Sequence, residues 1–335
     1  MRGRIFTLLV SFLFLLLVGG LVFLSQLQPF GSPSQRQVLK IPVGSSFSDA
    51  ARLLHQRNLI KSDWAFQWMG RFLGADRSII PGEYEFVGGM APADVLDKIT
   101  KGEVVQYAVT IPEGYSLDQI AGILQENGLV NEDEFIQLTQ DPVFLAKLDF
   151  KVEDLEGYLF PDTYHFTQQV EPEIMVQTMI ERFKQVWTEQ LATRAMELDM
   201  SVHQVMTLAS VIEKETGVSQ ERGLISGVFH NRLRKKIPLQ SDPTVIYALA
   251  HFDGNLRKED LTVDSPYNTY RFQGLPPGPI ASPGEASIRA ALYPIQTNYL
   301  YFVSRNDGSH QFSTTLAEHN LAVKKYQLQR RRRSS

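Results

Sequence analysis

The chain has 335 residues, with 33 Lys and Arg against 37 Asp and Glu and a formal net charge of −4, so its bulk carries no footprint for nucleic acid. Cysteine is absent, which excludes disulfides and thiolate metal sites. The seven histidines are scattered without an H-x-x-x-H pair, so neither a metal centre nor a cofactor is expected. Hydrophobic residues make up 43% and charged residues 21%, the balance of a globular protein with a real core.

The first element is "IFTLLVSFLFLLLVGGLVFLS", Ile5 to Ser25, uncharged and long enough to cross a bilayer as one helix. Arg2 and Arg4 precede it, and no positive charge follows until Arg36. The positive-inside rule then places residues 1–4 in the cytoplasm and the bulk of the chain beyond the inner (plasma) membrane, in the periplasm. "VFLSQLQPF" offers no small-residue cleavage site, so residues 5–25 are expected to remain as a single-span anchor. Residues 26–37, rich in Pro, Ser, Gly and Gln, read as a linker.

A repeat follows. "IPVGSSFSDAARLLHQRNLI" from Ile41 and "IPEGYSLDQIAGILQENGLV" from Ile111 align without a gap. Each copy reads as a strand, a Pro-x-Gly turn and a helix, with Ser48 and Ser116 as expected N-caps and Gly128 ending the second helix. After the first copy, "IIPGEYEF" reads as a strand, "APADVLDKITKGE" as a short helix and "VVQYAVTI" as another strand. This order of strands and helices resembles the LysM family of carbohydrate-binding modules, and residues 38–150 are taken as a LysM-like region of two related units.

From residue 151 to 326 the texture becomes helix-rich. "EPEIMVQTMIERFKQVWTEQLATRAMEL" reads as one long amphipathic helix, and "GLPPGPIASPG" as loop. "YLYFVS" and "HQFSTT" read as a hairpin around "RNDGS". The expected fold class is therefore α+β: an N-terminal transmembrane helix, a LysM-like α+β region, and a helix-rich domain with a small β element. Residues 327–335, with Arg330 to Arg333, form a basic tail.

"LASVIEKETGVSQERGLISGVFHNRL" carries the chemical question. Helical phase puts Val205, Leu208, Ala209 and Ile212 on a buried face and Thr207, Ser210 and Lys214 opposite. Glu213 and Glu215 fall on the two flanks, so periodicity does not choose between them. A carboxyl beside apolar side chains loses hydration and its pKa rises, as a general acid near neutral pH requires. Two further patches supply polar groups: Gln240, Ser241 and Asp242 before a helix start, and Tyr267, Asn268, Thr269 and Tyr270 ahead of a constrained loop. Amides, hydroxyls and aromatic faces suit an N-acetylated sugar polymer.

Taken in order, "EGYLFPDTY", "LASVIEKET", "VFHNRL", "LQSDPTVIY", "YNTY" and "GLPPGPI" resemble the YceG-like family of membrane-anchored murein transglycosylases. The resemblance spans the anchor, the LysM-like region and the domain after it. It implies lytic cleavage, without water, of the β-1,4 bond between N-acetylmuramic acid and N-acetylglucosamine, leaving 1,6-anhydro ends. It assigns the acid and base role to Glu213 and a supporting role to Glu215. By analogy Gln240, Asn268 and Tyr270 would contact sugar. The implied partners are peptidoglycan glycan strands and, at the membrane, penicillin-binding synthases. Two other readings stay open: a hydrolase using Asp242 to position water, and a non-catalytic wall-binding scaffold.

Overall fold

The computed structural model describes residues 2–32, 35–148, 152–168 and 170–328; the basic tail Arg330–Arg333 lies outside them. The fold is α+β, helix-rich, with its β-structure confined to short two-stranded ribbons. It forms two compact units, Met1–Tyr107 with His165–Val170, and Ala108–Tyr164 with Glu171–Ser335.

The first unit opens with α1 (Arg2–Gln26), whose apolar side chains point outward along its length and which is long and apolar enough to cross a membrane. Next come β1 (Arg36–Ile41), α2 (Phe47–Gln56), α3 (Asp63–Phe72), β2 (Gly82–Val87) and α4 (Pro92–Lys101). β1 and β2 pair antiparallel with Leu39 opposite Tyr84 and Ile41 opposite Gly82. Alternation sends Leu39, Ile41, Tyr84 and Phe86 inward, where Leu54, Phe66 and Ile99 complete a core. The sequence reading left "DWAFQWMGRF" unassigned. It is α3, so both helices of the strand–helix–helix–strand module precede β2, and α4 is an addition after it. The N-cap of α2 is Ser46, not Ser48: the Ser46 hydroxyl accepts from Asp49 N–H at 3.2 Å while the Asp49 carboxylate accepts from Ser46 N–H at 3.1 Å. Ser46 is also the gap-free counterpart of Ser116, which caps the second copy through the same reciprocal bonds to Gln119.

Strand β3 (Tyr107–Thr110) leads into the second unit, followed by α5 (Leu117–Glu126), α6 (Glu132–Gln140), α7 (Pro142–Lys147) and β4 (Thr163–Phe166). The sequence reading grouped both repeat copies in one region, residues 38–150. The units divide at Tyr107 instead, and the second copy folds with the residues that follow it. Backbone bonds explain why: Gly114 N–H donates to Ser282 C=O and Ser282 N–H donates to Tyr115 C=O, both at 2.8 Å. The buried carboxyl of Glu156 accepts Leu117 N–H at 3.2 Å, closing the exposed end of α5, and accepts the Tyr247 hydroxyl at 3.2 Å.

The helical remainder contains α8 (Pro172–Val186), α9 (Glu189–Glu197), α10 (Val202–Glu215), α11 (Arg222–Arg234), α12 (Asp242–Ala248) and α13 (Glu285–Leu292). It ends in the antiparallel hairpin β5 (Tyr301–Ser304) and β6 (His310–Ser313), with α14 (Leu316–Val323) against it. The long helix read from periodicity is two helices, because Trp187 leaves helical ψ at 73° and Thr188 is extended as the N-cap of α9. α10 packs against α9, α11, α12 and α13.

Burial pushes the Glu156 carboxyl from 4.5 up to about 8, with Asp154 adding and the Leu117 and Tyr247 hydrogen bonds opposing. An unfolded chain loses that proton near 4.5 while the folded chain keeps it to about 8, so this contribution to stability is full at low pH and lost as pH rises through about 8. The unfolding midpoint in denaturant should therefore fall from pH 5 to pH 8 by more in wild type than in Glu156→Gln.

Candidate active site

Every residue of α10 from Val205 to Ile212 is buried, so its middle turns have no solvent face, while Val202, Gln204 and Lys214 at its two ends are exposed. The expected polar side is packed too. Thr207 donates to His203 C=O, and Ser210 donates to Thr207 C=O while accepting Ile280 N–H at 3.0 Å. Hydroxyls are tolerated there because each finds a backbone partner.

At the C-terminal end of this helix the two glutamates diverge. The Glu213 carboxylate accepts Gly284 N–H, at the N-terminus of α13, at 3.1 Å and faces Arg222 Nη2 at 3.5 Å. Both side chains of that ion pair are largely buried, at 10% and 15% exposure. Glu113 joins them: its pKa is raised by burial and by the Glu213 charge, with Arg222 opposing. A Cβ on Gly284 would fall 1.9 Å from Glu113 Oε1, so glycine is what admits this second carboxyl. Lys214 donates to Gly114 C=O at 3.0 Å. The Glu213 side is thus a charge-compensated joint between the second repeat turn, α10 and α13.

Glu215 faces a cleft of about 580 Å³. Ser241 Oγ donates to its Oε1 at 2.6 Å, a bond the hydroxyl makes in place of capping α12. Desolvation lifts the Glu215 carboxyl from 4.5 to about 7, and Asp242 adds to this, while the Ser241 bond and the Arg232 charge oppose it. Arg232 is buried, spending its donors on the carbonyls of Leu300, Pro238 and Leu239 and on Gln240 Oε1. Gln240, Asp242 and Tyr270 line the same cleft, with the Tyr270 hydroxyl donating to Asp242 Oδ1 at 2.5 Å. Tyr301 and His310 of the hairpin form another part of the lining. His310 is held there by Glu221, which accepts both its backbone N–H and its ring Nδ1 contact at 2.8 Å.

Of the sequence candidates, Glu215, Gln240, Ser241, Asp242 and Tyr270 come together. Asn268 does not join them: it is fully buried and its amide donates to Leu261 and Val263 carbonyls, so it braces a loop and is withdrawn from sugar contact. Glu113, Arg222, Arg232, Glu221 and His310 escaped the sequence reading. A signal for Glu113 was present, since the repeat has Val43 at the equivalent turn position, where it is 75% exposed.

A raised carboxyl at the end of a helix with packed middle turns, beside amides, phenols and a second acid in one cleft, is an arrangement suited to acid–base chemistry on a sugar polymer. The chain belongs to the YceG-like family, whose profile matches residues 39–325. A Bacillus subtilis protein called endolytic murein transglycosylase is 37% identical over 331 residues, covering 93% of this chain and 91% of its own length. A Streptococcus pneumoniae protein of the same name is 30% identical over 349 residues, and the match covers 93% of this chain and 63% of that longer protein. A solved yceG-like protein from Listeria monocytogenes superposes with a TM-score of 0.60 at 35% identity, covering 85% of this chain and 98% of that one.

Arg222→Met leaves the largely buried Glu213 carboxylate without its cation and should cost about 3 kcal/mol. Adding Glu213→Gln should recover part of that loss, read as a coupling energy of about 1 kcal/mol or more in a double-mutant cycle of denaturant unfolding.

Proposed function

We propose that Glu215 is the proton shuttle of a lytic transglycosylase acting on peptidoglycan. The chain is a murein transglycosylase of the YceG-like family, and the observation that carries the residue assignment is the pair of environments at the end of α10. The family resemblance implies Glu213, but that side chain is turned to Arg222 and to Gly284 N–H and does not line the cleft. Glu215 opens onto the cleft with its pKa raised to about 7, so near neutral pH a large fraction carries the proton an acid must donate.

In this reading protonated Glu215 donates to the glycosidic oxygen between N-acetylmuramic acid and N-acetylglucosamine. The carboxylate left behind takes the proton of the muramic C6 hydroxyl as that oxygen attacks C1, giving the 1,6-anhydro end. One carboxyl serves as acid and then base, so the second carboxylate of ordinary glycosidases is not required. Ser241 holds the Glu215 carboxyl in one orientation, and Tyr270 does the same for Asp242. Gln240 offers an amide to the N-acetyl groups. In this reading α1 spans the membrane with its N-terminus in the cytoplasm and holds the enzyme on the far side, where nascent strands leave penicillin-binding synthases.

Glu215→Gln should reduce release of muropeptides from sacculi by at least about 10³-fold, the order expected for loss of a general acid and base. Glu213→Gln should retain measurable turnover at reduced stability. In wild type kcat/KM should fall as pH rises through about 7, where the acid is lost. Mass spectrometry of the products reads the outcome: ordinary reducing ends in place of anhydro ends would favour the hydrolase with Asp242 placing water, and full activity of Glu215→Gln would overturn the assignment.

The absence of native cysteine gives a clean topology test. Asp307→Cys, in the exposed hairpin turn, should react with a membrane-impermeant maleimide in intact spheroplasts, and protection until lysis would reverse the orientation.

A further inference from the structure

Helix α3 carries its apolar residues on two sides. The inner side buries Ala65, Phe66 and Gly70 in the core of the first unit, and Gly70 must be glycine because a Cβ would meet the Phe47 ring at 2.4 Å. The outer side presents Trp64 and Trp68, each 48% exposed, and Phe72, 77% exposed, at spacings of one helical turn, with Leu73 following at 66%. The Trp68 and Phe72 rings lie 5.9 Å apart, and the Arg71 guanidinium stands 5.5 Å over the Trp68 ring. Two of the three tryptophans in the chain occupy this one exposed stripe. Leaving so much aromatic area in water is unfavourable, by about 25 cal/mol per Å² of apolar surface.

One end of the stripe adjoins α1. The Phe23 ring, in the last turns of α1, lies 5.8 Å from the Trp64 ring. Lys61 donates to Ser25 C=O at 3.1 Å, satisfying one of the carbonyls that the end of α1 leaves open. Phe23 and Ser25 belong to the apolar stretch Arg4–Gln26, so Trp64 sits at the depth where that stretch ends. At that depth a bilayer presents its headgroup boundary, the layer in which Trp rings and the long stems of Lys and Arg are most at home.

We propose that the outer face of α3, formed by Trp64, Trp68 and Phe72, docks into the headgroup boundary of the bilayer that α1 spans. The first unit is then seated on the membrane by a second contact, with Lys61 and Arg71 at the level of lipid phosphates. This rests on α1 being a membrane span. The consequence for the enzyme is a defined height for the first unit in place of a free tether.

The test uses the full chain in vesicles of phosphatidylethanolamine and phosphatidylglycerol whose acyl chains carry bromine near the headgroup or near the chain end. Trp64→Phe with Trp187→Phe leaves Trp68 as the only indole, and Trp68→Phe with Trp187→Phe leaves Trp64. Relative to unbrominated vesicles, both chains should lose most of their fluorescence to shallow bromine and much less to deep bromine. A quenched Trp64 with an unquenched Trp68 would overturn docking of the α3 face while leaving the span intact, and would leave that face to a protein partner. If neither is quenched, the span itself is wrong. Trp68→Ser with Phe72→Ser should leave the thermal unfolding midpoint unchanged, since both side chains are exposed, and a drop would show a packing role instead.

Discussion

Everything at the site depends on the middle turns of α10, Val205 to Ile212, being buried on every side. A helix packed in this way has its rotation and position set by its neighbours, to within the small tolerance that a protein interior allows. Its hydroxyls are satisfied internally, Ser210 by a backbone N–H from Ile280 and a carbonyl one turn back. The carboxyls at its exit therefore emerge at fixed points. Glu213 and Glu215, two residues apart, leave the helix on different sides, one toward Arg222 and Gly284 and the other toward the cleft.

The electrostatics follow from that geometry. On the Glu213 side a guanidinium and the amide end of α13 compensate a carboxylate, with Glu113 drawn into the same group. On the Glu215 side the nearby cation Arg232 spends its donors on carbonyls and on Gln240, and burial outweighs its attraction, which is why the carboxyl is pushed up to about 7. Similar residues thus play unlike parts because of what surrounds them, as in other enzymes that place two carboxyls near each other.

The internal repeat shows how one turn acquired two uses. Gly44 and Gly114 adopt the same left-handed conformation, with φ of 81° and 77°, so the backbone of the turn is shared. In the first copy the preceding residue is Val43, exposed and apolar; in the second it is Glu113, also exposed, whose carboxyl reaches Gly284 beside Glu213. The two copies keep their strand, cap and helix but belong to different compact units, the second being held by its exchange of backbone bonds with Ser282.

Local chemistry written in the sequence determined much of this protein: the long apolar first helix, a helix after the Pro-x-Gly turn of each repeat copy, the β5–β6 hairpin around its Asn-Asp-Gly turn, and the motifs that place the chain in its family. These depend on neighbours a few residues apart, and periodicity and turn residues report them. The α8–α9 break and helix α3 were less legible, because Trp187 and the aromatic face of α3 read as continuous amphipathic pattern or as none. The difference between the surroundings of Glu213 and Glu215 exists only in the tertiary structure. Both flank the same apolar face, and what separates them is Arg222, Gly284 and Glu113 on one side and Ser241, Asp242 and Arg232 on the other. Ser241 and Gly284 lie 26 and 71 positions along the chain from the glutamates they bond, and a pKa is set by such spatial neighbours rather than by sequence spacing.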